Sequence, residues 1–177
     1  MISTIVEQFI KDNINLIDGN KFQQLYNLAT RDWQFPHNVF VRELTETLIN
    51  AEIPFLEYMS FIPSSFLWES SIEEIELPNN ILNIDKDAFY GSALTQITIP
   101  ENCISIGQDA FAMCKKLNKL TLLNADCNID IEAFSGGTPI QQISYNGIFD
   151  QWKYNYKDLL LPHRVILYCL DRKVLLP

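Results

Sequence analysis

The sequence has little of what chemistry at a protein site usually demands. Of its 177 residues, two are histidines and six are glycines. No Walker loop, dinucleotide fingerprint or Gly-x-Ser-x-Gly elbow is present. Phosphate cradling and serine-hydrolase chemistry therefore have no motif to rest on. His37 stands in a Pro-His-Asn helix start and His163 follows Pro162. Both read as surface or capping residues rather than as general bases or metal ligands. None of the four cysteines forms a Cys-x-x-Cys pair, which removes zinc knuckles and thioredoxin-like sites. Gly136-Gly137 reads as a loop. The expectation is a protein without catalytic residues, without a cofactor and without a metal.

Positive charge is also short. Lys and Arg number 13 against 22 Asp and Glu, a net charge of −9. Direct nucleic-acid binding and attachment to anionic membranes both need a basic surface, so neither is expected. No apolar run reaches the 18 or so residues that a membrane-spanning helix requires. The first residues lack the basic and apolar stretches of a secretory signal. That points to the cytoplasm, and to Cys103, Cys114, Cys127 and Cys169 as reduced, mostly buried thiols, although an even number also allows two disulfides.

What is present is a folded composition, 47% hydrophobic and 20% charged. It is also periodic. Phe66, Phe89, Phe111 and Phe134 recur at spacings of 23, 22 and 23. Ser65, Ala88, Ala110 and Ala133 precede them. Phe61, Ile84, Ile106 and Ile129 lie four residues before those small residues. After each Phe follow three apolar columns: Ile72, Leu94, Leu117, Ile140; then Ile75, Ile97, Leu120, Ile143; then Leu77, Ile99, Leu122, Tyr145. Pro78 and Pro100 close the first two runs.

The spacing carries a physical meaning. Apolar-x-x-apolar-x-apolar ends in period-2 alternation, the mark of a short half-buried strand. Proline stops it. A short helical turn through Ala-Phe would bury the ring, and alanine suits the place where successive coils stack. One unit cannot cover its own apolar face, but stacked units share a core. Strands side by side then form a parallel sheet with a spacing near 4.8 Å. Units of this length are those of a leucine-rich-repeat solenoid.

The run from Ile99 to Cys114, Ile-Pro-Glu-Asn-Cys-Ile-Ser-Ile-Gly-Gln-Asp-Ala-Phe-Ala-Met-Cys, resembles the BspA-type leucine-rich repeat. That family reads roughly I-P-x-x-V-x-x-I-G-x-x-A-F-x-x-C. The likeness is closest over residues 81 to 125. The family's valine column holds Ile81 and Cys103 but Asp126 in the last unit, and Asp85 and Asp130 stand where Gly107 does. The last unit is degenerate, as a terminal one would be. By this analogy Cys114 is a packing thiol in a column shared with Ser92 and Gly137. The segment Tyr145-x-Gly147-x-x-x-x-Trp152 resembles the closing piece of such arrays. It implies a last strand pair, Arg164 to Leu170 and Lys173 to Leu176, turning at Asp171-Arg172, with Trp152 over the end of the stack. The family prefers glycine after that aspartate, so Arg172 is a departure.

Residues 1–60 have a helical period instead. Ile2, Ile5, Val6, Phe9 and Ile10 mark one helix, with Ser3 or Thr4 as its N-cap. Asp18-Gly19-Asn20 breaks it. Phe22, Leu25, Tyr26 and Ala29 mark a second helix that ends near Arg31-Asp32. A third starts at Pro36-His37-Asn38, with Val41, Leu44 and Leu48 inward, and Pro54 allows a short turn through Phe55 and Tyr58. Sixty residues are marginal alone, so this leader is expected to pack on the first repeat. Its stretch from Glu43 to Pro63 resembles the helical leader before BspA-type repeats in some tailed-phage and bacterial proteins.

The fold expected is therefore α/β: a short leucine-rich-repeat solenoid with a parallel β-sheet, capped by an N-terminal helical bundle and a C-terminal β cap. Its parts are residues 1–60, about four repeats over 61–145, and 146–177, where Lys153, Lys157, Arg164, Arg172 and Lys173 give a mild positive excess. The residues between the apolar strand positions point away from the core. They are Glu73, Glu74 and Glu76; Thr95, Gln96 and Thr98; Asn118, Lys119 and Thr121; Gln141, Gln142 and Ser144. This face is the expected binding site for a protein partner, with Trp33 to Phe40 as the next candidate. Three functions are compatible with it: a non-catalytic interaction module, such as a phage-encoded inhibitor of a host enzyme or defence protein; an acidic nucleic-acid mimic; and a structural or adhesive repeat. The open edges of a short sheet also allow a homo-oligomer.

Overall fold

The computed structural model describes residues 2–16, 21–29 and 37–177. The break at Asp18-Gly19-Asn20, the end of the second helix near Arg31-Asp32 and the segment Trp33 to Pro36 lie outside them. The leader holds three helices, α1 (Ile2–Asp12), α2 (Phe22–Ala29) and α3 (His37–Asn50), then a 3-10 turn at Leu56–Tyr58. The apolar spacing that predicts them also decides what they bury. Val6 and Phe9 of α1, Leu25 and Ala29 of α2, and Phe40, Val41, Leu44 and Leu48 of α3 are all buried. The Phe9 ring meets Phe40 edge-on at 5.3 Å. α1 already includes Ser3 and Thr4, so neither is the N-cap that the sequence suggests.

The array carries two ladders. A narrow one joins β1 (Phe61–Ile62), β2 (Asn83–Ile84), β4 (Ser105–Ile106) and β6 (Asn128–Ile129), all parallel. The wide one joins β3 (Gln96–Ile99), β5 (Lys119–Leu122), β7 (Gln142–Tyr145) and β8 (Ile166–Tyr168) in parallel, and adds β9 (Lys173–Leu175) antiparallel. The narrow ladder is formed by residues that sequence reading treats only as apolar markers. Two-residue strands are too short to show alternation.

The Ala-Phe segment is not a helical turn. Ser65, Asp87 and Asp109 (φ 63, 57 and 54°) and Glu69, Gly91, Met113 and Gly136 (φ 51, 66, 59 and 70°) recur with the repeat in the left-handed region, which interrupts a helix. The backbone between them bonds to the next coil instead. The amides of Leu67 and Glu69 donate to the carbonyls of Ala88 and Tyr90, and those of Phe89 and Gly91 to Ala110 and Ala112. Each coil thus satisfies its neighbour's polar groups. The phenylalanines form a buried column. Phe66 lies 5.9 Å from Phe89, Phe89 4.9 Å from Phe111, and Phe111 5.3 Å from Phe134, with the last two pairs stacked nearly parallel. Phe55 extends the column into the leader at 6.1 Å. One continuous core runs from Val6 to Leu167.

Two glycines are fixed by close approach. A Cβ on Gly107 would stand 2.7 Å from the amide nitrogen of Lys86 in the coil before, and one on Gly147 2.6 Å from the ring of Tyr145. The four cysteines are free thiols. The Cys114 thiol donates to the Phe89 carbonyl at 3.0 Å, beside Ser92. In the next coil the same role falls to Thr138, whose hydroxyl donates to the Phe111 carbonyl at 2.9 Å. Thr138 therefore replaces Gly137 in that column.

The C-terminal cap is not purely β. The chain forms α4 (Phe149–Tyr156) before the β8–β9 hairpin. Tyr145, Trp152 and Tyr156 cluster there with ring separations of 4.9 to 5.8 Å, and Trp152 is buried. At the hairpin the Cys169 amide donates to the Arg172 carbonyl at 2.9 Å. No residue of that turn has a positive φ, so the family's glycine is not needed and Arg172 is accommodated.

Candidate interaction face

The register of the wide sheet lines up the outward residues in rows. Gln96, Lys119, Gln142 and Ile166 form one, and Thr98, Thr121, Ser144 and Tyr168 the next. The alternate positions between these rows, Ile97, Leu120, Ile143 and Leu167, are buried. A third row precedes the strands. The amide of Thr95 donates to Glu73, that of Asn118 to Thr95, that of Gln141 to Asn118, and that of Ile166 to Gln141, at 2.8 to 3.0 Å. Ten of the twelve expected face residues are thus brought together: Glu73, Thr95, Gln96, Thr98, Asn118, Lys119, Thr121, Gln141, Gln142 and Ser144.

Glu74 and Glu76 stand apart. The first coil does not form the strand expected over Glu73 to Leu77. Among the described residues no backbone hydrogen bond joins Glu74 through Leu77 to β3 beyond the Thr95–Glu73 link. A cleft of about 400 Å³ lies between them, lined by both segments. The apolar residues of this coil, Ile75 and Leu77, are only half-buried, where their counterparts in later coils are fully covered. Less apolar burial leaves less to hold that rung closed.

The acidic character of this edge is also reduced. Lys116, two coils on, pairs with Glu73 at 2.5 Å, and this hydrogen bond and charge hold the Glu73 carboxyl below its ordinary value. At the other edge the face gains residues that the sequence reading missed. Tyr168 continues the threonine row, and the Lys173 ammonium lies 4.9 Å from its ring centre, within cation–π range. The signal was available, because Ile166-Leu167-Tyr168 repeats the out-in-out alternation of Gln142-Ile143-Ser144.

His163 is exposed, and the side chain of His37 lies outside the described set. Among the described residues no cluster of three or more His, Cys, Asp or Glu is arranged to hold a metal, and no helix is long and apolar enough to cross a membrane.

Stacked coils, a parallel sheet with one polar face and a buried phenylalanine column define a leucine-rich-repeat solenoid. The family model described as BspA type leucine rich repeat region (6 copies) matches residues 60–155. The chain belongs to that family, whose repeats serve in general as interaction or repeat modules and not as catalysts. No curated protein matches the chain, and no solved structure matches it.

Proposed function

We propose that the chain is a non-catalytic protein-interaction module that seats its partner on the wide sheet, centred on Thr98, Thr121 and Ser144. The observation that carries this reading is the register itself. Three strands present two rows of polar side chains on a paired backbone fixed by a buried core. A platform held by a paired backbone and a buried core suits partner recognition because little order has to be imposed on binding. The resemblance of the leader to phage and bacterial proteins favours a cytoplasmic partner of the host, such as an enzyme or a defence complex. Nucleic-acid mimicry needs an unbroken carboxylate row. The pairing of Glu73 with Lys116 and the separation of Glu74 and Glu76 from β3 weaken it.

The test is affinity capture from a lysate of the source cell, with wild type and a Thr98→Arg/Thr121→Arg variant side by side. Circular dichroism first establishes that both are folded. One protein enriched by wild type and lost with the variant supports the face. The same protein held equally by both refutes it.

A further inference from the structure

The wide sheet is open at both ends, and the two ends are complementary. At the N-terminal end an apolar groove of about 450 Å³ lies between the leader and the first rung and is lined by both. Among the described residues no strand pairs with that rung on this side. Ile49, Ile53, Phe55, Ile75 and Leu77 are among its apolar lining residues. Three carboxylates, Glu57, Glu74 and Glu76, line it with no lysine or arginine among its lining residues. At the C-terminal end the outermost strand is β9, Lys173-Val174-Leu175, bonded among the described residues on one side only. Leu175 is 63% exposed. Arg172 precedes the strand and Lys173 opens it, and both are exposed.

We propose that β9 of one molecule enters the groove of a second molecule and pairs with its first rung, so that the chain assembles head to tail. Neighbouring strand residues point to opposite faces. Val174, which pairs with buried Leu167, would extend the row of Ile75 and Leu77, while Leu175 would lie on the outward face. Lys173, on the outward face beside Tyr168, would meet Glu74 and Glu76, with Arg172 adding positive charge from the turn before it. Because β9 runs against the other strands of its own sheet, it would lie antiparallel to the first rung, on the side away from the cleft that separates that rung from β3. The contact joins two different surfaces, so it does not close on itself and propagates into an open filament. An unpaired edge strand is a standing template for such addition. Edge lysines ordinarily discourage it, but here they meet an acidic groove.

The experiment is sedimentation velocity on the full chain over a range of concentrations, in low salt and again at about 0.5 M salt, where charge attraction is largely screened. Wild type should sediment faster as concentration rises, and less so in high salt. A Glu74→Lys/Glu76→Lys variant and an Arg172→Glu/Lys173→Glu variant should each associate roughly tenfold more weakly or not at all, because each puts like charges at the joint. All four positions are exposed, and circular dichroism checks that the folds survive. Mixing the two variants restores opposite charges at the joint and should restore association. The peptide Leu170 to Pro177 should inhibit assembly of wild type. A wild type that stays monomeric overturns the proposal, as does association that both reversals leave intact or that mixing fails to restore. A monomeric wild type whose groove binds an alternating Lys-Val peptide would assign the groove to a foreign strand, and it also overturns self-pairing.

Discussion

Asn102 reaches back one coil: its side-chain amide donates to the backbone carbonyl of Asn79 at 2.9 Å. Asn80, Asn124 and Asn146 do the same toward Met59, Cys103 and Leu123, at 2.5 to 3.0 Å. The four asparagines are spaced by 22 residues. Each supplies a donor to a backbone carbonyl of the coil before it or, for Asn80, of the leader.

Replacing Asn102 by Ala removes that one bond and should therefore lower stability by about 1 kcal/mol, the usual net value of one hydrogen bond. Asn118 offers the comparison. Its amide bonds to Lys116 within its own coil, so Asn118→Ala should cost clearly less. Urea unfolding followed by circular dichroism measures both. Equal losses would show that reaching across coils adds nothing.

Phe111 sits between two stacked rings, Phe89 and Phe134, and is fully buried. Phe111→Ala should cost roughly 3–5 kcal/mol through lost transfer energy and the cavity left behind. Phe111→Leu should cost far less because it keeps most of the volume. The contrast matters, since a column held by ring stacking alone would suffer nearly as much from leucine. Denaturation midpoints of the two variants decide between these accounts.

The apolar columns made the array legible, because burial on one face forces a period that survives substitution among Ile, Leu and Phe. Ile97, Leu120 and Ile143 appear where that period puts them, and so do the outward residues between them. The first rung was misread for the same reason. Ile75 and Leu77 keep the pattern but lack the covering neighbours that turn pattern into strand. The asparagine ladder was readable as a 22-residue recurrence, yet polar residues are not where a search for core periodicity looks. α4 was hidden because its buried ring residues, Trp152 and Tyr156, belong to a cap that is built once and does not repeat.

The thiols should divide by burial. Burial pushes the Cys114 thiol up, the neighbouring Cys103 thiol together with burial pushes Cys127 up, and burial also raises the half-buried Cys169. The bond with Cys127 pulls Cys103 down, but Cys103 is fully buried and out of a reagent's reach. Only a thiolate attacks an alkylating reagent. At pH 7.5 or thereabouts, N-ethylmaleimide should label Cys169 first and slowly, with Cys103, Cys114 and Cys127 labelled only after unfolding. Peptide mapping by mass spectrometry reads the order. Rapid native labelling of Cys114 would contradict its place beneath Phe89.

Asp171 ties the two parts of the C-terminal cap together. Its carboxylate accepts the Phe149 amide, the first residue of α4, at 2.9 Å, and it also accepts from Arg172. The bond from the Phe149 amide, helped by Arg172, holds this carboxyl below its ordinary value against the opposing effect of desolvation. A carboxyl whose folded value is depressed adds stability above its unfolded value, near 3.9, and that stability is lost as pH falls through the folded value. Asp171→Asn keeps an acceptor oxygen and removes the charge. Wild type should therefore melt above the variant at neutral pH, and the gap should narrow as pH falls below about 4. Glu73, held down by Lys116, titrates in both proteins and cancels in the difference. Asp150, held down by Lys153 and opposed by the Asp171 charge, moves further down in the variant and adds a small part to the change. Fluorescence of Trp152, buried on α4, follows the cap during melting. A gap that stays constant from neutral to acid pH would mean that the charge of Asp171 does not hold α4 in place.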